Sequence, residues 1–251
     1  GLFNLAWQKE FMWDGGVNHL DLQPLAPLTD PHEMAENIDS VLLKLKSDTA
    51  YIRMFIAAFG KKEINTQLLT KALSQFIVLL VSADSKYDRV MQGKDSFNLP
   101  QKLGYEIFQK KCIACHTPPF FTDFSYRNTG LSLDDYLKDE GRMRITGEKT
   151  DSLKFRVPSL RNVQETFPYA HDGRFAYLDA VFEHYRSGVI QSTTTDIVLK
   201  NGIPLSNFEI GQLKAFLYTL TDSAFLNNSK FSPPGEERVI PLPDALQHAE
   251  K

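Results

Sequence analysis

The sequence predicts a mainly α-helical protein, and three observations predict it. Apolar residues recur at three- and four-residue spacing in several segments, two such segments are preceded by capping-box strings, and alternating polar–apolar runs are scarce. Along the chain, Asp30-Pro-His-Glu33 reads as a helix start with Asp30 as N-cap, Pro31 at the first helical position and Glu33 closing the box. Ile38, Val41, Leu42 and Leu45 form the stripe that follows it. A second helix is predicted from about Thr66 through Leu69, Leu73, Phe76, Ile77 and Leu80. The polar stretch Asp84 to Asn98, with Gly93 inside it, marks a boundary. The next helix carries Leu103, Gly104, Ile107 and Phe108 and runs into Cys112-Ile-Ala-Cys115-His116. From Thr117 to about Phe155 the chain is rich in Pro, Gly, Asp and Thr and reads as loop. Leu178, Val181, Phe182 and Tyr185 share one helical face, with Gly188 as the stop. Ser206-Asn-Phe-Glu209 is another capping box, opening a helix with Ile210, Leu213, Phe216, Leu217 and Leu220 toward a core. The stretch from Ser232 to Lys251 has four prolines and no periodicity, so it is expected to lie over a surface.

A chain of 251 residues makes one large domain or two small ones. Its net charge of −3 gives no electrostatic footprint for nucleic acid. The longest apolar run, Phe76 to Val81, falls far short of the ~18 residues that read as a membrane span. No secretory leader opens at Gly1, so the start reads as processed, truncated or cut from something longer.

The chain has two cysteines, and they stand three positions apart. Such a pair serves disulfide exchange, half a zinc site, or haem attachment. A redox pair wants a βαβ setting, and these flanks read as helix. Structural zinc needs four ligands, and no second cluster follows. With six histidines in the chain, one directly after Cys115 is an uncommon coincidence, and haem chemistry requires it. Two thiols add across the haem vinyl groups, and the adjacent imidazole reaches the iron.

Residues 97 to 224 resemble a class I cytochrome c domain: Gly104 and Phe108 stand eight and four residues before Cys112, and Leu213 to Leu220 looks like the final helix that crosses at the glycine. Nearly the whole chain resembles the bacterial di-haem cytochrome c peroxidases and their MauG-type relatives. Four strings carry that resemblance: Phe11-Met-Trp-Asp-Gly15, the run Gln23 to Met34, Pro158-Ser-Leu-Arg-Asn162 and Pro168-Tyr-Ala-His-Asp-Gly173. The resemblance implies a two-domain di-haem architecture with the N-terminal domain incomplete. Residues 1–93 would be the remainder of the peroxidatic domain, 94–224 the cytochrome c-like electron-transfer domain, and 225–251 a tail packing over the surface.

In such enzymes an N-terminal haem binds peroxide and a C-terminal haem collects electrons, with a tryptophan between them. By position Trp13 is that residue, and Gln23 and Glu33 line the peroxide site. A carboxylate there can move a proton between the peroxide oxygens, and an amide can orient them. As plain chemistry Glu33 also serves as a capping residue, and Trp13 as core. The resemblance further implies a structural calcium held by the backbone carbonyls of Thr166 and Pro168, oxygen ligands that suit this cation.

The sequence departs from the peroxidases in two ways. They place a methionine fourteen residues after the histidine of the His-Asp-Gly string, and counted from His171 that position is Tyr185, as in MauG-type enzymes. A phenolate is a known haem ligand, but Tyr185 also suits an inward-facing core position. Met143, His171 or water are the other ways to fill the site, with His171 better suited to hydrogen bonding near the haem edge. The second departure is that no other Cys-x-x-Cys-His is present. The retained Trp13, Gln23 and Glu33 favour a longer parent chain with a second haem c upstream of Gly1. The expected parent is a periplasmic cytochrome c peroxidase, homodimeric when intact, taking electrons from a donor c-type cytochrome to reduce hydrogen peroxide. A MauG-type oxidase acting on a protein or small molecule, and a single-haem electron carrier, are the alternatives.

Overall fold

The structure is a computed structural model that describes residues 1–60 and 63–233. Its helices are α1 (Leu25–Thr29), α2 (Ile38–Ser47), α3 (Thr49–Phe59), α4 (Thr66–Leu79), α5 (Lys86–Met91), α6 (Leu99–Lys111), α7 (Met143–Thr146), α8 (Leu178–Glu183), α9 (Asn207–Leu217) and α10 (Ser223–Leu226). Strand content is one antiparallel pair, β1 (Tyr126–Arg127) with β2 (Phe155–Arg156), in the register Tyr126 opposite Arg156. Among the described residues no helix is long and apolar enough to cross a membrane.

Most predicted helices form where expected. Asn65 caps α4 by accepting from the Leu68 amide at 3.0 Å, and Ser206 and Glu209 form the predicted capping box of α9. The box expected at Asp30 and Glu33 does not form. Asp30 instead accepts from the His32 amide at 2.7 Å in an Asx turn, residues 31–34 stay a turn, and Ala35 adopts a φ of +49°. The helix waits until Asn37, whose side chain accepts from Asp39 and Ser40. Five helices form where none was predicted: α1, α3, α5, α7 and α10, with α7 and the β1–β2 pair interrupting the stretch 117–155 expected to be loop. The tail expected over 225–251 is described to residue 233, where it forms the end of α10 and a 3₁₀ turn at Ser229–Phe231; its remainder lies outside the described residues.

The described residues divide into two units, each assembled from three stretches: those within 1–80, 124–157 and 187–202 in the first, and those within 81–123, 158–186 and 203–233 in the second. This differs from the sequential boundary expected near residue 93. The segment 124–157 belongs to the first unit because it is bonded there: the Arg156 amide donates to the Trp13 carbonyl at 2.7 Å, and the Arg142 side chain, through Nη1, to the Asp14 carbonyl at 3.2 Å. Within the first unit, Leu5, Phe11 and Ile77 form one apolar cluster and Phe55, Ile64 and Leu68 another.

The second unit has the larger core, centred on Phe108, Phe121, Leu213, Phe216 and Leu220, each at most 1% exposed. Helices α6 and α9 cross at Gly104, where a β-carbon would stand 1.9 Å from the Gln212 carbonyl oxygen. Only glycine permits that approach. Two buried polar ties flank the core. Arg161, 3% exposed, holds Asp88 through both guanidinium nitrogens at 2.7 and 2.8 Å. The Asp222 carboxylate accepts from Ser82 Oγ and the amides of Ala83, Asp84 and Phe225, while the Asp222 amide donates to Asn162 Oδ1. Arg161 and Asn162 both come from the Pro158-Ser-Leu-Arg-Asn string, so that string's charged and amide groups satisfy buried partners.

Candidate functional site

Helix α6 ends at Lys111, and the Cys112 amide donates to the Phe108 carbonyl at 2.8 Å. The amides of Cys115 and His116 then bond to the Cys112 carbonyl at 3.3 and 3.0 Å, so one turn of backbone carries both sulfurs and the imidazole. The thiols are not joined as a disulfide. Burial pushes the Cys112 thiol up to about 12, with repulsion from Cys115 adding to it and Lys111 opposing. Among the described residues no three His, Cys, Asp or Glu side chains are gathered to hold a metal ion. Covalent attachment of a macrocycle by thioether bonds is the chemistry these two sulfurs suit.

His116 fits the same group. Its Nδ1–H donates to the Phe121 carbonyl at 3.1 Å, which fixes the tautomer with the lone pair on Nε2. Phe121 is fully buried at a φ of +55°, a left-handed conformation that costs a bulky residue about 1–3 kcal/mol. That backbone turn aims the carbonyl at the imidazole. The loop after the motif closes by the Asp123 amide on the Cys115 carbonyl at 2.9 Å.

Tyr185 lies in a π-helical turn, His184–Gly188, that continues α8. One-turn π segments are frequent at functional sites. Burial pushes its phenol up to about 12, and the Cys115 and Cys112 sulfurs are near enough to add to the shift. Tyr185 lies in the same unit as the two thiols. His171 sits in the turn closed by the Tyr169–Phe175 bridge, 10% exposed, with Nε2 3.8 Å from Asp172. Burial pushes the Asp172 carboxyl up, but hydrogen bonds from Arg174 outweigh it and hold the group below the usual range.

The second unit thus holds Cys112, Cys115, His116, His171 and Tyr185, together with Thr166 and Pro168 in an exposed turn. Trp13, Gln23, Glu33 and Met143 lie in the first unit. Trp13 is 38% exposed rather than core, held by its backbone carbonyl. Gln23 is buried at the end of a 3₁₀ turn, whereas Glu33 is exposed in the turn that replaced the expected helix start. Met143 opens α7. Sequence reasoning missed Phe121, because its contribution is a carbonyl and a backbone angle, neither visible in side-chain identity. It noticed the Pro158–Asn162 string without its partner Asp88.

The family model for di-haem cytochrome c peroxidase matches residues 1–96. The methylamine utilization protein MauG of Methylophilus methylotrophus is 33% identical over 92% of this chain and 70% of its own length. The cytochrome c551 peroxidase of Nitrosomonas europaea is 33% identical over 88% of this chain and 64% of its own. The chain thus spans about two thirds of the length of the curated relatives it matches. The crystal structure of a MauG-like protein associated with microbial copper homeostasis superposes with a TM-score of 0.85 at 29% identity, covering 93% of this chain and 78% of that one. A shared fold and this identity over most of the chain place the protein in the di-haem cytochrome c peroxidase and MauG family.

Proposed function

We propose that this chain carries one haem c on Cys112 and Cys115, and that His116 and Tyr185 are the residues that would hold its iron. The intact protein, on this reading, is a periplasmic peroxidase that reduces hydrogen peroxide to water with electrons from a donor c-type cytochrome. The observation that supports the proposal is that one backbone turn carries both thiols and the His116 imidazole, whose Nδ1 bonds the Phe121 carbonyl, with Tyr185 in the same unit. When bound, the haem supplies reversible one-electron chemistry at its iron.

The chain's own residues do the rest. Cys112 and Cys115 fix the group covalently, independent of any ligand bond. His116 would hold the iron through Nε2, with its Nδ1 proton hydrogen-bonded to the Phe121 carbonyl, which raises the basicity of the imidazole. Tyr185 would serve as phenolate, an anionic oxygen donor that favours oxidised iron. His171, held beside Asp172, presents a ring nitrogen for hydrogen bonding at the edge of the site. Trp13 serves the electron path, Gln23 orients peroxide, and Glu33 moves a proton between its oxygens. A second haem on the intact chain, a calcium ion on the Thr166 and Pro168 carbonyls, and a homodimer complete the reading.

A MauG-type oxidase acting on a protein or small-molecule substrate is the second reading, and Tyr185 is the residue that favours it. Intact mass of the full gene product tests the haem count: two adducts are expected, and a single one refutes the di-haem reading. Peroxide turnover with a reduced c-type cytochrome then separates the activities. If the two-haem protein consumes no peroxide under those conditions, the peroxidase reading fails.

A further inference from the structure

The string Ser159-Leu-Arg161 meets three successive carbonyls of the loop that follows the haem-attachment motif. Arg161 Nε donates to the Pro119 carbonyl at 2.8 Å, Ser159 Oγ to the Phe120 carbonyl at 2.6 Å, and the Leu160 amide to the Phe121 carbonyl at 3.3 Å. The Phe121 carbonyl is also the acceptor of the His116 Nδ1 proton at 3.1 Å. Each carbonyl has two lone pairs, so the Leu160 amide steadies this acceptor without displacing the imidazole. Arg161 is itself fixed. Its remaining nitrogens take both oxygens of Asp88, and its guanidinium carbon lies 5.8 Å from the centre of the Phe121 ring. Asp88 is held in turn by the Ser85 amide and hydroxyl at 2.8 and 2.7 Å. The network runs without a gap from a buried ion pair to the imidazole.

We propose that the Ser159–Arg161 segment, anchored on Asp88, is the positioning element for His116. It holds Phe121 in its left-handed conformation, keeps its carbonyl on the Nδ1 proton, and so sets the electron-donating strength of the imidazole toward iron. Arg161 and Ser159 are positioning residues, because they act through a carbonyl and do not touch the reacting atoms. The inference rests on the haem assignment above. Outer partners of a metal-binding histidine alter affinity or activity by about 10–100-fold when removed. A looser Nδ1–H bond makes the imidazole a weaker donor, which favours the reduced iron.

The test uses the haem-loaded protein. Ser159→Ala removes one tie with no change of charge, and the double variant Arg161→Gln with Asp88→Asn removes the anchor without leaving a buried lone charge. Thr219→Val, which removes a buried hydrogen bond to the Phe216 carbonyl, controls for general loosening of the same unit. The midpoint potential is measured, and the exchange rate of the His116 Nδ1 proton is followed by nuclear magnetic resonance. The first two changes are expected to raise the potential and speed proton exchange by about tenfold, while Thr219→Val moves neither. Folded, haem-loaded Ser159→Ala and double variants with wild-type potential and exchange overturn the proposal, as does an equal shift in Thr219→Val. A wild-type protein with no haem mass on the 112–115 peptide overturns the haem assignment itself, and with it the proposal.

Discussion

Replacing Gly104 by alanine separates two effects of opposite sign. In an isolated helix the change is favourable by about 1 kcal/mol, because alanine loses less backbone freedom than glycine. At the crossing of α6 and α9 the new β-carbon would stand 1.9 Å from the Gln212 carbonyl oxygen, 2.6 Å from its carbon and 2.8 Å from Phe216 Cβ. Ordinary contact begins at 3.4 Å. The helices would have to part by about 1.5 Å, and a helical carbonyl cannot swing aside as a flexible side-chain tip can. Overpacking costs about 1–3 kcal/mol in such cases, and a backbone clash belongs at or above the upper end. The parting also loosens Phe216 and Leu213, which are at most 1% exposed. The net expectation is a loss of about 2 kcal/mol, or about 4–8 °C in melting temperature for a chain of this size. Calorimetry of haem-loaded wild type and Gly104→Ala measures it. A variant as stable as wild type, or more so, would mean that helix propensity governs and that the close crossing does not exist.

Other consequences follow from the same structure. The double variant Cys112→Ser with Cys115→Ser should lose all covalent haem, seen as loss of the mass adduct on denaturation; retention under denaturing conditions would refute thioether attachment. Tyr185→Met should raise the midpoint potential and introduce a sulfur–iron charge-transfer band in the oxidised spectrum, whereas an unchanged spectrum would remove Tyr185 from the iron. Burial pushes the Asp88 carboxyl up, but the Arg161 and Ser85 hydrogen bonds outweigh it and hold its folded value below the ordinary one. Its stabilisation is therefore present above the unfolded value, near pH ~3.9, and is lost as pH falls through the folded value. Asp88→Asn should cost about 3–5 kcal/mol at pH ~7. Urea midpoints should show that gap narrowing below pH ~4, and a constant gap would sink the linkage.

The helices legible in the sequence were those whose caps and stripes agree. Asn65 with Leu68, Leu69 and Ile77, and Ser206 with Glu209 and Leu213, give one answer at both levels, and α4 and α9 form accordingly. Asp30 misled because an Asp before a proline can cap a helix or make an Asx turn, and only the chain beyond it decides. Helix α3 was missed although Asp48 caps it and Gly60 ends it in the left-handed region, because its apolar residues leave no single clear stripe. Helix α5 hid inside a polar stretch whose Tyr87 and Asp88 are buried partners of distant residues. The assembly of each unit from three stretches has no local signature at all. At the site, the sulfurs and the imidazole could be read from five consecutive residues, while the carbonyl that orients the imidazole could not.

The loop ties around His116 also impose an order of events on the growing chain. Cys112 to His116 is synthesised before Ser159 to Arg161 exists. Until then the carbonyls of Pro119, Phe120 and Phe121 lack the ties that Arg161, Ser159 and Leu160 later supply. On the haem reading proposed above, the thiols would be open to attachment before those ties close. The reactive string and the string that constrains it thus belong to different moments of synthesis.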